Sequence, residues 1–157
     1  MPNNKKKLFF IILISVFAFS LDRLTKFLFV ENVLPEIKVW ENILSFQLHI
    51  NKGVAFGFTM DSIFYYILVC LIFIILVYLL VDSYKRGNQF LLVCLFFVLI
   101  GASSNLIDRW RWQGVVDFIN VEFWSVFNLA DCYIVLAVIF WLVYLFKHDR
   151  KKISKAS

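Results

Sequence analysis

Two stretches of this chain, Ile63 to Val81 and Phe90 to Ile107, run for 19 and 18 residues without a charge, and Val126 to Phe146 runs for 21 with Asp131 as its sole charge. A bilayer core needs about 20 predominantly apolar residues per helix. Inside hydrocarbon the backbone must satisfy its own hydrogen bonds, so helices or closed barrels are the only admissible spans. Composition agrees: 62% of the 157 residues are hydrophobic and 17% charged, against about 25% charged in a typical soluble domain.

A fourth span is predicted from the start of the chain. Leu8 to Leu21 supplies 14 apolar or weakly polar residues, too few to cross, so the helix must continue through Asp22, Arg23 and Lys26 toward Val30. A competing reading takes "NKKK" and the run behind it as a cleavable signal peptide with "AFS" as the cut site. The apolar spacing of "LDRLTKFLFV" favours the longer span. The expected architecture is therefore an all-α membrane protein, a single integral membrane domain over residues 1–157. It is a four-transmembrane-helix bundle with spans at 8–30, 63–81, 90–107 and 126–146, and outer segments at 31–62 and 108–125.

Lys and Arg outside the spans set the orientation. With the N-terminus inside, ten of the sixteen basic residues are cytoplasmic, while nine of the eleven carboxylates lie at the other side. Both termini are then cytoplasmic. The basic tail "KHDRKKISK" reads as an anchor on anionic membrane lipids, and a nucleic-acid partner is disfavoured. Trp40, Trp110, Trp112 and Trp124 fall in the outer connections, where amphipathic rings settle at headgroup level. The cysteines Cys70, Cys94 and Cys132 lack metal-ligand spacing and read as small core residues, and no HExxH is present, so a metal site is disfavoured.

In the first outer segment "LSFQLHIN", Leu44 to Asn51, alternates apolar and polar residues as a half-buried strand does. Ser45, Gln47, His49 and Asn51 share its polar face. "NKGVAFGF" follows, with Gly53 and Gly57 permitting a turn or a close backbone approach. The third connection, "RWRWQGVVDFINVEFW", is rich in Val, Ile, Phe and Trp and is predicted to be extended. Pairing of these segments into a small sheet is expected, because unpaired backbone at a membrane surface is costly.

Ionisable groups at membrane depth must pair or line a wet cavity. Asn105 and Asp108 are three apart at the end of the third span, Asn128 and Asp131 three apart at the start of the fourth, so each pair is assigned to one helix face. Asp22 and Lys26 are four apart in the favourable order for an ion pair, and Asp108 has Arg109 beside it. Structural pairing competes with a functional role for both. Asp117 and Asp131 have no basic residue nearby in sequence. Two carboxylates brought together near lipid share one proton, leaving a general acid beside a general base. On this reading Asn128 and Asp131 are tolerated in "FNLAD" because they face a wet pocket.

Several of these stretches together resemble the lipoprotein signal peptidases, or signal peptidase II. "LDRLTK" is similar to the family's Asp-x-x-x-Lys element (Asp22, Lys26), and "NKGVAFGF" to its Asn-x-Gly-x-Ala-Phe box (Asn51, Gly53, Ala55, Phe56). "SNLIDRWRWQGVVDF" resembles its Asn-x-x-Asp-Arg box (Asn105, Asp108, Arg109, Gly114, Asp117), and "FNLAD" its Phe-Asn-x-Ala-Asp element (Asn128, Ala130, Asp131). The chain departs from the family's glycine-rich "GGAxGN" with "IGASSN", placing Ser103 and Ser104 at two of those positions. The resemblance implies an aspartic peptidase of the bacterial cytoplasmic membrane with Asp117 and Asp131 catalytic, near the extracytoplasmic face and without cofactor. Its substrate would be a prolipoprotein carrying diacylglycerol on a cysteine, cut on the N-terminal side of that cysteine, and globomycin would block it. Arg109 and Asp108 would organise the end of the third helix, Asn105 and Asn128 would brace the pair, and Asn51 with the Gly53 backbone would orient substrate.

Two other classes compete. A small proton-coupled transporter would need polar groups along a whole path, yet the second span is uncharged and the inner halves of the others are apolar. A non-catalytic assembly factor would tolerate Asp117→Asn.

Overall fold

A computed structural model describes residues 2–41, 43–53 and 63–156, with side chains over 5–41, 43–53 and 63–147. The elements run α1 (Pro2–Val30), β1 (Ile37–Trp40), β2 (Leu44–Asn51), α2 (Ile63–Lys85), α3 (Gln89–Trp112), β3 (Val115–Val121) and α4 (Leu129–Ala156). The four helices are each long and apolar enough to cross a membrane. The three strands form one antiparallel sheet in the order β1-β2-β3. The fold is thus the expected membrane bundle with a small sheet.

Packing follows the placement of small and polar residues rather than overall hydrophobicity, since lipid offers apolar side chains as good an environment as a neighbouring helix. The buried stripe of α1 is Ile11, Ser15, Ala18, Asp22, Lys26 and Phe29, at helical spacing, while Phe17, Leu24 and Phe27 on its other faces are exposed. Helix α3 is central and packs on α1, α2 and α4. It meets α4 closely at Gly101, where an added Cβ would lie 2.7 Å from the Ala130 carbonyl oxygen. Helix α2 packs on α3, to which it is joined by a tight turn at Gly87 with φ +68°. Of the three cysteines, Cys94 is buried; Cys70 is exposed on α2, and Cys132 is half-buried on α4.

Helix α3 extends past residue 107 to Trp112, so Arg109–Trp112, predicted above to be extended, is helical. The helix ends where Gln113 adopts the left-handed conformation, φ 53°, and its N–H donates to the Arg109 carbonyl at 3.1 Å. Two basic residues in the final turn, Arg109 and Arg111, complement the helix dipole there. Gly114 then lets β3 pass β2, since a Cβ would stand 2.7 Å from the Ile50 side chain.

Strand β3 is buried on both faces from Val115 to Phe118. Phe118 stacks on Phe29 of α1 with ring centroids 4.9 Å apart, fixing the sheet to the bundle. The β2–β3 register places His49 opposite Asp117 and Asn51 opposite Val115, with an irregularity between Phe46 and His49. That irregularity breaks the strict alternation: Leu48 and Ile50, expected on a covered face, are exposed.

Candidate active site

At the sheet end of the bundle, α1 and α3 bury a four-membered ionic cluster. Asp22, Lys26 and Asp108 are almost wholly excluded from solvent. Lys26 Nζ lies 2.8 Å from Asp108 Oδ2 and 3.1 Å from Asp22 Oδ2, and Arg23 pairs with Asp108 Oδ1. Two acids face two bases, so the charge is balanced. A buried pair of this kind holds only where its remaining bonding capacity is filled. Here Asp22 Oδ1 accepts from Ala130 N–H at 2.9 Å, Asp22 Oδ2 accepts from the Ser104 hydroxyl, and Asp108 Oδ2 accepts from Val116 N–H at 3.3 Å.

The pairing of Asp108 with Arg109, one of the two readings their adjacency allowed, is not formed among the described residues. Adjacent residues on a helix point about 100° apart and do not face each other. Asp108 turns into the bundle toward Arg23 and Lys26, whereas Arg109 lines the neighbouring cavity, and its buried Nε has no hydrogen-bond partner among the described residues.

Above the ions lies a layer of amides. Lys26 Nζ donates to Asn105 Oδ1 at 2.8 Å. Because an ammonium can only donate, the amide oxygen must face it and the NH2 group must point away. That NH2 group donates to Asp131 Oδ1 at 2.8 Å. Asn128 Nδ2 donates to Asp117 Oδ1 at 2.7 Å and to Asn105 Oδ1 at 3.2 Å, and Asn51 Nδ2 donates to Asp117 Oδ2 at 3.1 Å.

"FNLAD" acquires a local cause as well. Phe127 is bridged to Ile119 by backbone hydrogen bonds of 2.8 and 3.0 Å, so the chain enters α4 directly from the side of β3. Asn128 then caps α4: its Oδ1 accepts from Asp131 N–H at 3.0 Å, while Asp131 Oδ2 accepts from Asn128 N–H at 3.3 Å. This is the reciprocal arrangement of a capping box. Asn128 precedes the helix, so it and Asp131 do not share a helix face as the spacing suggested. They meet through the cap, and the cap brings Asn128 against Asp117.

Asn128 is therefore bonded to both carboxylates. Asp117 is nearly inaccessible at 2% exposure, Asp131 is half-buried, and both line a cavity of about 590 Å3 together with Asn51, Asn105, Arg109 and Trp124. Burial pushes the Asp117 carboxyl above the ordinary carboxylate range; the bonds from Asn51 and Asn128 oppose this, and the nearby Asp131 carboxylate adds to it. One wall of the cavity is apolar and open: Val135 and Leu136 of α4 are about half exposed.

Of the other residues singled out in the sequence, Ala130 is buried with its N–H on Asp22. The Gly53 N–H is taken by Asn51 Oδ1 at 2.9 Å and so is occupied rather than presented to a ligand. Ala55 lies outside the described residues. Arg23 and Ser104 belong to the cluster but were not singled out as site residues; an arginine one position after Asp22 and a serine one before Asn105 were the available signals.

The sequence profile of the family described as Signal peptidase (SPase) II matches residues 14–147. A lipoprotein signal peptidase of Listeria monocytogenes serotype 4a is 32% identical over 145 residues, covering 88% of this chain and 94% of the relative, and one from Listeria innocua matches equally. Among solved structures, a bacterial membrane enzyme determined at 2.3 Å superposes with a TM-score of 0.78 at 31% identity over 90% of both chains. A second, determined at 1.9 Å, gives 0.72 at 30% identity over 87% of this chain and 92% of its own.

Proposed function

The chain belongs to the signal peptidase II family, and on that premise we propose that it removes signal peptides from prolipoproteins as an aspartic peptidase, with Asp117 and Asp131 as its catalytic pair. The observation that carries the aspartic chemistry is the Asn128 bridge, one amide-bearing residue bonded to two carboxylates in one cavity. The Asp131 charge adds to the upward push on Asp117, which favours one proton held by the pair. The upward push of burial on the Asp117 carboxyl supports Asp117 as the proton holder, and the bond from Asn105, itself held by Lys26, supports Asp131 as the base.

In the reaction Asp131 takes a proton from water, whose oxygen adds to the scissile carbonyl carbon as Asp117 gives its proton to the developing oxyanion. Asp131 then passes its proton to the amide nitrogen, the C–N bond breaks, and Asp117 recovers its proton as the carboxylic acid forms. The substrate is a prolipoprotein with diacylglycerol on a cysteine, cut on that residue's N-terminal side. The apolar wall at Val135 and Leu136 supports acyl chains or an apolar signal helix approaching from the bilayer. The site lies near the extracytoplasmic face of the bacterial cytoplasmic membrane, with both termini cytoplasmic. A transporter reading is not favoured, since the buried ionic cluster lies at the sheet end of the bundle.

The test uses purified chain in lipid with a prolipoprotein whose cysteine is or is not diacylglyceryl-modified. Cleavage of the modified precursor alone, blocked by globomycin, is expected. Failure to cut it, or equal cleavage of both forms, contradicts the proposal.

A further inference from the structure

Resting on the reading of Asp131 as a catalytic group, we infer that Ser104 is a positioning residue for the reaction, acting through the two tethers that hold Asp131. Ser104 is 1% exposed on the face of α3 turned to α1, with its hydroxyl on Asp22 Oδ2. Arg23 Nη1 donates to both its carbonyl and its hydroxyl oxygen at 3.2 Å, and Lys26 Nζ stands 3.5 Å from the hydroxyl. The hydroxyl thus touches three charged groups.

The first tether is backbone. Asp22 Oδ1 accepts from the N–H of Ala130, the residue before Asp131, at 2.9 Å. A carboxylate is planar, so fixing Oδ2 with the Ser104 hydroxyl aims Oδ1 at that N–H, one of the donors that the start of α4 leaves without a partner inside the helix. The second tether is side chain to side chain: Lys26 Nζ to Asn105 Oδ1, then Asn105 Nδ2 to Asp131 Oδ1, each at 2.8 Å. Lys26 is shared among Asp22, Asp108 and Asn105. With the Ser104 hydroxyl on Asp22 Oδ2, that oxygen does not depend on the ammonium alone. Without it, Asp22 draws Lys26 away from Asn105, and Asp22 Oδ1 is released from the start of α4. Both tethers loosen at once, though Ser104 touches neither substrate nor Asp131.

The experiment compares native chain, Ser104→Ala and Ser104→Thr in lipid. It reads kcat and KM for lipidated prolipoprotein, thermal stability, and amide hydrogen exchange at Ala130. Ser104→Ala is expected to lower kcat by about tenfold, the order of one lost hydrogen bond to a charged group, with KM within about twofold. Ala130 exchange should accelerate by a similar factor. Ser104→Thr keeps a hydroxyl and is expected to restore both. Unchanged kcat with unchanged Ala130 exchange overturns the inference, as does a loss that Thr does not restore in a folded protein. Should the native chain cleave nothing, the catalytic reading fails by itself, and an Ala130 exchange that ignores Ser104→Ala then removes the tether as well.

Discussion

Gly101→Ala isolates how closely α3 and α4 must approach for the carboxylates to be held. The new Cβ would lie 2.7 Å from the Ala130 carbonyl oxygen and 2.8 Å from Ile134 Cγ1, so reaching an ordinary 3.4 Å contact requires the helices to part by about 0.7 Å. The oxygen is main chain in the first turn of α4 and cannot rotate aside. The same separation would stretch the Asn105–Asp131 bond from 2.8 Å to the edge of hydrogen bonding. Overpacking of this size costs about 1–3 kcal/mol, or roughly 3–10 °C in Tm for a chain of this length. A misplacement near 1 Å lowers the catalytic rate by about 100-fold. Prolipoprotein cleavage kinetics and thermal unfolding in lipid measure the two effects. Gly87→Ala serves as the control for kcat: nothing lies within 4 Å of its Cβ, but its φ of +68° strains any side chain, so it should lower stability by about 1 kcal/mol and leave kcat unchanged. A Gly101→Ala enzyme keeping more than a third of native kcat would refute the claim that this contact sets the site.

Asp108→Asn leaves Arg23 and Lys26 facing Asp22 alone inside the bundle; a loss of about 3–5 kcal/mol is expected in unfolding measurements. Asp82→Asn, which breaks the exposed Asp82–Arg86 pair on α2, should change stability by less than about 1 kcal/mol. Gln113→Gly relieves the positive φ at the end of α3 and should raise stability by up to about 1 kcal/mol. The rate should fall as pH rises through the raised Asp117 pKa. Removing the Asn51 hydrogen bond, which opposes that rise, should move the basic limb of Asn51→Ala to higher pH; an unmoved or lowered limb would contradict the assignment of Asp117 as proton holder.

The spans were legible because lipid imposes length and apolarity on each helix independently, and the strands because Leu44–Asn51 and Val115–Val121 carry their own β preference. Partnerships across the fold were not. Arg23 finds Asp108 at 85 positions' distance, and no local pattern marks that choice over the adjacent Arg109. Asn128 illustrates the difference between spacing and geometry. Its three-residue offset from Asp131 fits one helix face equally well as a cap, and only the Phe127 bridge to Ile119 decides between them. Ser104 stood out only as a departure from a glycine-rich stretch, because its role depends on the Asp22 carboxylate arriving from another helix.

The central claim is that Asp117 and Asp131 act as one acid–base unit. Single-turnover cleavage of a lipidated prolipoprotein by Asp117→Asn, Asp131→Asn and the double variant, each shown to be folded, tests it most directly. Each single change is expected to lower the rate at least about 1,000-fold, and the double variant should fall little further, because residues acting as a unit are non-additive. Near-native cleavage by either single variant, or losses that multiply in the double, would contradict it.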